Sequence, residues 1–388
     1  MKHLNTENLS CRSTWSASGG KPVPPTPVTP YYQPDIGPAT RPATIDVEVV
    51  DWCGGMLIRS TNWLGDAVMT LPAVYKLRQL MPADLPLIIA CPKKLAGLWE
   101  AVPWVDRIIS FTGKRMPPEC RRELRALRPG LTIVLPNSFG AVWDLWRAGI
   151  PNLLGRDGRG RGAFLKHRLP AWQRVAGHDL HHQAREYLAM AAACGAHAWD
   201  YECPPLKPQP QTSEQAEVDR MLAIGTRMLA IAPGAAYGLA KQWPAAHFNT
   251  VARWWSNTVG IVAACGAPGE ESVAESAIDG CKQAQNLAGK TTLTQLMYLL
   301  SRADFVVTND SGAMHLAAAL KKPGIAVFGS TDPVATGPIG GHWIVFRKPL
   351  PCSPCLARTC HRSDFPYQCL HAISSQTVID TLTEMIAD

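Results

Sequence analysis

Long apolar runs are missing from this 388-residue chain. None reaches the ~18–20 residues that a membrane-spanning helix needs, so any membrane contact is expected to be peripheral. The N-terminus lacks a charged start followed by an apolar core, which argues against a secretory signal. A strong charge bias is absent too. The 38 Lys and Arg against 31 Asp and Glu leave +7, which favours anionic ligands or surfaces without naming one. Nucleotide signatures occur only in broken form. Gly289-Lys290-Thr291 imitates the end of a P-loop, but Ala284 stands where the first glycine is required. Gly158-Arg159-Gly160 lacks the third glycine of a dinucleotide fingerprint. No Asp-x-Asp pair is present to hold a divalent ion on a nucleotide diphosphate. A diphosphate bound here would have to rely on backbone N–H groups and basic side chains. No aromatic stacking platform is evident either, so no nucleic-acid partner is expected.

What is present is an alternation of strand and helix patterns, the mark of an α/β protein with doubly wound parallel sheets. Residues 1–50 form a Pro-rich tail that cannot bury a core. A first Rossmann-like domain is expected over 51–205. It opens with a strand at Met56–Arg59 and a loop through Asp66, followed by a helix with Thr70 as cap and Pro72 in its first turn. Further strands are expected at 87–90, 108–111 and 131–135, with helices near 93–100, 118–128, 139–149 and 181–194. Pro204, Pro205, Pro208 and Pro210 mark a linker. A second Rossmann-like domain over 206–388 repeats the rhythm, with strands at 228–231, 261–265, 305–307 and 325–328. Its helices are expected near 246–257, 270–283, 292–302 and 313–320. A Cys-rich loop at 351–370 and a final helix near 375–387, packing back across the first domain, complete the expected plan.

Two stretches carry candidate chemistry. Between the strands at 305–307 and 325–328, Thr308-Asn309-Asp310-Ser311-Gly312 offers cap residues at a helix start. Unpaired N–H groups and the positive end of the helix dipole suit such a start to a phosphate, and Gly312 would let an anion approach the backbone. An ordinary capped helix facing water explains the same residues. The loop Pro233-Gly234-Ala235-Ala236-Tyr237-Gly238-Leu239-Ala240-Lys241-Gln242-Trp243-Pro244 follows a strand and carries two glycines. Lys241 is either an anion contact there or a solvated surface lysine.

From Met56 to about Thr383 the chain resembles the heptosyltransferases of lipopolysaccharide core assembly, members of the family 9 glycosyltransferases. The resemblance rests on Asn62-Trp63-Leu64-Gly65-Asp66-Ala67-Val68-Met69-Thr70-Leu71-Pro72, on Pro233-Gly234 through Lys241-Gln242-Trp243-Pro244, on Asn309-Asp310-Ser311-Gly312-Ala313-Met314-His315, and on Gly329-Ser330-Thr331-Asp332-Pro333. The Asn-Trp-Leu-Gly-Asp form is most similar to the branch that adds heptose II to heptose I. The resemblance implies a GT-B fold and metal-independent, inverting transfer from ADP-L-glycero-D-manno-heptose. Asp66 then matches the general base, although a helix cap beside Gly65 would account for it equally. Lys241 matches the lysine that meets the leaving diphosphate. Glu270 matches the acid that holds the ribose, with Glu271 as the alternative one position on. Thr291 lies where the family contacts adenosine. Asp310, Ser311, Gly312 and His315 fall on the donor side, and Asn62 and Gly65 on the acceptor side.

The basic run from Arg156 to Arg174 includes Arg159, Arg161, Lys166 and Arg168, with Asp157 as its one acid. It is either a solvated loop or a surface for a phosphorylated acceptor on an anionic membrane, with Arg156, Arg159 and Arg161 as acceptor-side residues. The implied partners are thus ADP-heptose, the lipopolysaccharide core and an anionic membrane surface. The implied location is the cytoplasm, peripheral on the inner face of the inner membrane. No cofactor is required on this reading, but Cys352, Cys355, Cys360 and Cys369 open with a Cys-x2-Cys spacing that allows a structural zinc. A reduced loop of thiols is the alternative. Rival functions are a family 9 transferase using another nucleotide sugar and a non-catalytic nucleotide-sugar-binding protein.

Overall fold

The structure is a computed structural model that describes residues 45–46, 50–52, 54–171, 182–196, 200–222 and 227–387. Most of the Pro-rich tail, the start of the helix expected from 181, and Arg174 lie outside the described residues. The chain builds two six-stranded, fully parallel sheets. The first contains β1 (Met56–Arg59), β2 (Leu87–Pro92), β3 (Arg107–Phe111), β4 (Leu131–Val134), β5 (Leu153–Arg156) and β6 (His167–Leu169) in the order β3-β2-β1-β4-β5-β6. The second contains β7 (Arg227–Ala232), β8 (Gly260–Ala264), β9 (Ala284–Asn286), β10 (Phe305–Asn309), β11 (Gly324–Phe328) and β12 (Trp343–Arg347), ordered β12-β11-β10-β7-β8-β9. Renumbered from its own first strand, the second sheet has the same order as the first. Two such halves give the GT-B arrangement implied by the family resemblance.

The helices are α1 (Leu64–Met69), α2 (Leu71–Leu80), α3 (Ala96–Glu100), α4 (Pro118–Leu127), α5 (Phe139–Arg147), α6 (Ala184–Ala193), α7 (Thr212–Met221), α8 (Ala245–Thr258), α9 (Glu271–Ile278), α10 (Leu293–Arg302), α11 (Gly312–Ala319), α12 (Pro333–Thr336), α13 (Gln368–His371) and α14 (Ser375–Ala387). Strands β1, β4 and β11 are buried along their whole length, as parallel strands covered by helices on both faces must be. Successive residues point to opposite faces: Met56 and Ile58 belong to one apolar cluster and Leu57 to another. The first of these clusters continues into the second sheet through Met228, Ala230, Val306 and Phe328, so the two halves share one hydrophobic body. Among the described residues no helix is long and apolar enough to cross a membrane.

Several expectations need correction. β5 and β6 run through the supposed basic loop, and α7 begins directly after the Pro-rich linker. Polar residues on the edge strand β6 and the scarcity of apolar residues in α7 gave no clear apolar period. The linker itself is pinned, with Leu206 N–H donating to Ala319 and Lys207 N–H to Ala101 (2.8 Å). The final helix does not cross to the N-terminal half. Val378, Ile379, Leu382 and Met385 of α14 pack with Trp243, Phe248 and Val251, because α8 already offers an apolar face beside them. Asp66 sits not in a loop but in the first turn of α1, since the helix begins two residues earlier.

Candidate active site

Both sheets change direction at an inner strand pair, β1/β4 in the first and β7/β10 in the second. In open parallel sheets the crevice beyond the carboxyl ends of such a pair is where ligands sit. The loop after β1 leads to Asp66, and the loops after β7 and β10 carry Lys241 and Asp310. The two halves bring these three together electrostatically: the Asp66 carboxylate feels both the Lys241 ammonium and the Asp310 carboxylate.

Asp66 is half-buried. Burial pushes its carboxyl above the ordinary range, opposed by a hydrogen bond from Gln183 and by the charge of Lys241, while Asp310 adds to the rise. Gln183 Nε2 donates to Asp66 Oδ1 (3.1 Å) and to the Tyr187 hydroxyl (3.0 Å). Gln183 also reaches the other half of the molecule, its N–H donating to Ala335 (2.9 Å), while His182 Nε2 lies 3.0 Å from the Gly337 carbonyl. Gln183 was not singled out in the sequence, where it stands next to a histidine pair with no motif around it. Arg59, also missed, ends the otherwise apolar β1. It is buried, lies over the Phe111 ring and donates to Asn62 Oδ1 (2.8 Å), which fixes the side chain of Asn62.

In the second half Lys241 Nζ contacts Asp310 Oδ2 at 2.7 Å, and Thr331 (2.7 Å) and Thr336 (3.3 Å) donate to the same oxygen. Lys241 ends a 3-10 turn, Leu239–Lys241, whose loop is anchored by Asn309. The Asn309 side chain accepts from the Trp243 N–H and donates to the carbonyls of Pro233 and Gly234. A further strut comes from the Cys-rich loop. Ala240 N–H donates to the Arg358 carbonyl, Leu356 N–H donates to the Ser330 carbonyl, and the Lys241 ammonium and Arg358 guanidinium both lie over the Tyr237 ring, at 5.1 and 5.0 Å. Lys241 is therefore a positioned cation, not a free surface lysine.

Glu270 stands at the start of α9, past the loop that follows β8, with its carboxylate accepting the Ala267 N–H (2.8 Å) and lying across Gly234, where any Cβ would meet it at 2.1 Å. Glu271 turns the other way, accepting the Gly269 N–H, which lowers its pKa. Of the two acids, only Glu270 faces the β7–β8 rim. Thr291 stands beyond β9, just before Thr292, which caps α10 through the Gln295 N–H.

The start of α11 departs from expectation. Thr308 and Asn309 belong to β10, and the N-cap Ser311 makes no side-chain cap; its hydroxyl pairs with Thr308 instead (3.0 Å). Gly312 faces not open space but Leu64 of α1, at 3.0 Å from where a Cβ would stand. Gly65 in turn lies under His315, 2.9 Å from its would-be Cβ. The two glycines thus let α1 and α11 meet across the halves of the molecule. His315 is buried there, and loss of solvation lowers its pKa to about 4. In this arrangement it is a neutral packing group that brings no positive charge to a phosphate.

The basic run divides sharply. Arg156 is buried, in an ion pair with Glu186 (2.5 Å) and donating to Pro170. Arg161 is 1% exposed, donates to Pro136 and to Asn137 Oδ1, and has its pKa lowered to about 10 by burial. Both arginines lock β5 to its neighbours and neither offers charge to a surface. Arg159, Lys166 and Arg168 remain exposed. The zinc alternative also fails to find ligands. Among the described residues no three His, Cys, Asp or Glu side chains are placed to hold a metal ion. Cys352, Cys355, Cys360 and Cys369 are free thiols, and Cys360 Sγ instead accepts the Tyr367 N–H (3.3 Å).

A sequence model described as glycosyltransferase family 9 (heptosyltransferase) matches residues 119–365. Lipopolysaccharide heptosyltransferase 2 of Salmonella typhimurium is 30% identical over 302 residues, covering 73% of this chain and 85% of its own. The solved structure of Escherichia coli ADP-heptose lps heptosyltransferase II superposes with a TM-score of 0.71 at 26% identity, over 86% of this chain and 98% of that one. Escherichia coli heptosyltransferase WaaC, solved with ADP, shares the fold with a TM-score of 0.64 at 20% identity, over 85% and 99% of the two chains.

Proposed function

The chain belongs to glycosyltransferase family 9 as a heptosyltransferase of the lipopolysaccharide core, and from that premise we propose how it works. It moves heptose from ADP-heptose to heptose I of the core, inverting the anomeric centre and needing no metal. Residues 51–205 receive the acceptor and residues 206–388 the donor. The enzyme works from the cytoplasmic face of the inner membrane, held there peripherally. Asp66 takes the proton of the acceptor hydroxyl as that oxygen attacks the anomeric carbon. Lys241 and the N–H groups of Ser311 and Gly312 take up the charge of the departing ADP, work that a cation does in other transferases. Asp310 holds Lys241 in place, and Glu270 and Thr291 receive the ribose and adenine. The observation that carries the reading is the convergence, across two halves, of a carboxyl with raised pKa and a buttressed lysine.

Because Leu64 lies against Gly312, the two halves must part before a diphosphate reaches the α11 amides, and closure then brings Asp66 to the sugar. The reading is tested by a panel of ADP- and UDP-sugars offered with defined core acceptors, with and without chelator. ADP-heptose alone should transfer, at a rate that chelator leaves unchanged. Transfer from a UDP-sugar would move the assignment to another member of the family, and a chelator-sensitive rate would sink the metal-free step.

Gln183 makes a finer test of Asp66. Its hydrogen bond opposes the burial that raises the Asp66 pKa. Removing that bond in Gln183→Leu should raise it further and move the acid limb of kcat/KM to higher pH, with KM for the donor unchanged. A pH profile superposing on that of the native enzyme would separate Gln183 from the base.

A further inference from the structure

Helix α5 turns the wrong residues outward for a protein in water. Its inner face, Ala141, Val142 and Leu145, belongs to the core of the first sheet. Its outer face carries Phe139, Trp143 and Trp146, spaced i, i+4 and i+7 and therefore on one side of the helix. Phe139 is 40% exposed and Trp146 49%. The rings stack on each other at 5.8 and 5.1 Å, and Phe164 meets all three edge-on at 5.2–5.6 Å. A contiguous aromatic surface of this kind marks a contact site.

Cations flank it at both ends. Arg115 reaches α5 through Asp144 and passes 3.6 Å from the Cβ position of Gly140, and Arg125 lies 3.5 Å from that of Gly149. Arg147 adjoins Trp146, and Lys166 stands two residues beyond Phe164. The segment 107–171 that holds the patch contains 13 Lys and Arg against four Asp and Glu, a net of +9 in a chain whose total is +7. The rest of the molecule is thus slightly acidic, and the positive charge is concentrated where the aromatics are. Exposed aromatic rings ringed by Lys and Arg match the headgroup region of an anionic bilayer, where the rings enter the interface and the cations meet lipid phosphates.

We propose that the α5 face, Phe139, Trp143, Trp146 and Phe164 with its rim of Arg115, Arg125, Arg147 and Lys166, is the surface that seats this enzyme on an anionic phospholipid bilayer. It replaces the arginine run as the membrane contact, since Arg156 and Arg161 are consumed internally. The placement also suits the transferase reading, although the bilayer contact does not depend on it. Phe139 follows the carboxyl end of β4, the strand beside β1, and so lies on the same rim as the loop to Asp66. An acceptor anchored in the bilayer would meet the cleft from that side.

The test is co-sedimentation of the full chain with vesicles of phosphatidylcholine alone or mixed with phosphatidylglycerol. The native protein should bind the mixed vesicles at low salt. Phe139→Ser with Trp146→Ser should weaken that binding about tenfold or more, and Arg147→Gln with Lys166→Gln about tenfold or more, at about fivefold for each cation. Both pairs should keep the native melting temperature. Brominated acyl chains should quench part of the tryptophan emission of bound protein, and Trp146→Phe should diminish that part while still binding. Equal binding by the native protein and the serine pair would overturn the proposal, as would bound protein whose emission bromine leaves untouched. So would a native dimer that the serine pair converts to monomer, since the face would then belong to a second copy of this chain. Binding is read without donor or acceptor, so its failure leaves the transferase reading standing, and an inactive enzyme leaves the vesicle result intact.

Discussion

Asp66→Asn should bind donor as the native enzyme does and transfer heptose about 100-fold to 10,000-fold more slowly, the span associated with loss of a general base. Calorimetric titration with ADP and single-turnover transfer separate the two effects. The native pH profile gives the same residue a second signature. Catalysis needs the carboxylate, and burial raises the pKa at which it forms, so activity should fall as pH drops through a value above that of an ordinary aspartate. Stability runs in the opposite sense. An acid whose folded pKa is raised contributes most to the fold below its unfolded value, and that contribution is lost as pH rises through the folded value. Asp66→Asn should therefore melt at a higher temperature than the native enzyme at neutral pH, and the two should converge in acid. A variant that is both inactive and less stable would point to a structural aspartate. Gained stability beside lost turnover is what a functional residue held against its solvation preference produces.

Lys241→Met should lose about 100-fold to 1,000-fold in kcat/KM, as sites do when a positioned donor to a developing anion is removed. Its second effect is on the fold. Asp310 is 4% exposed at its side chain and Lys241 15%, so the pair is largely out of water. Deleting one partner leaves the Asp310 carboxylate to the hydroxyls of Thr331 and Thr336, at a cost of about 3–5 kcal/mol in urea denaturation. The double replacement Lys241→Met with Asp310→Leu should recover stability without recovering activity. Lys241→Arg keeps the charge but not the compact ammonium, so it should fold nearly normally and bind ADP better than Lys241→Met. Unchanged ADP affinity in Lys241→Met would remove the lysine from the donor site.

The rhythm of the fold was legible because burial has a period. Apolar runs such as Leu87–Ala90 and Ile325–Phe328 read as covered strands, and each of the eight expected strands was found near its true bounds. Four strands, β5, β6, β9 and β12, were not expected; of these, β6 and β9 are edge strands of three residues whose polar side chains leave no apolar run to show. The site was half legible. Asp66, Lys241 and Asp310 stand in motifs that follow strand ends and could be picked out along the chain, while Gln183, Thr331 and Thr336 gained meaning only from what they touch.

Taken alone, the amino-acid sequence determined the strand–helix alternation, the two-part layout and the motifs at the strand ends, because each of these is written in neighbouring residues. Tertiary structure decided which charges are available. Arg156 and Arg161 resemble Arg159 along the chain, yet Glu186 and the 136–137 loop bury the first two and leave the third in water. It also decided that Gly65 and Gly312 serve helix contact, that α14 stays with its own half, and that an aromatic face on α5 remains outside. The reason is the same in each case: solvation and pairing depend on groups brought from distant parts of the chain, and a local pattern holds no record of which groups will arrive.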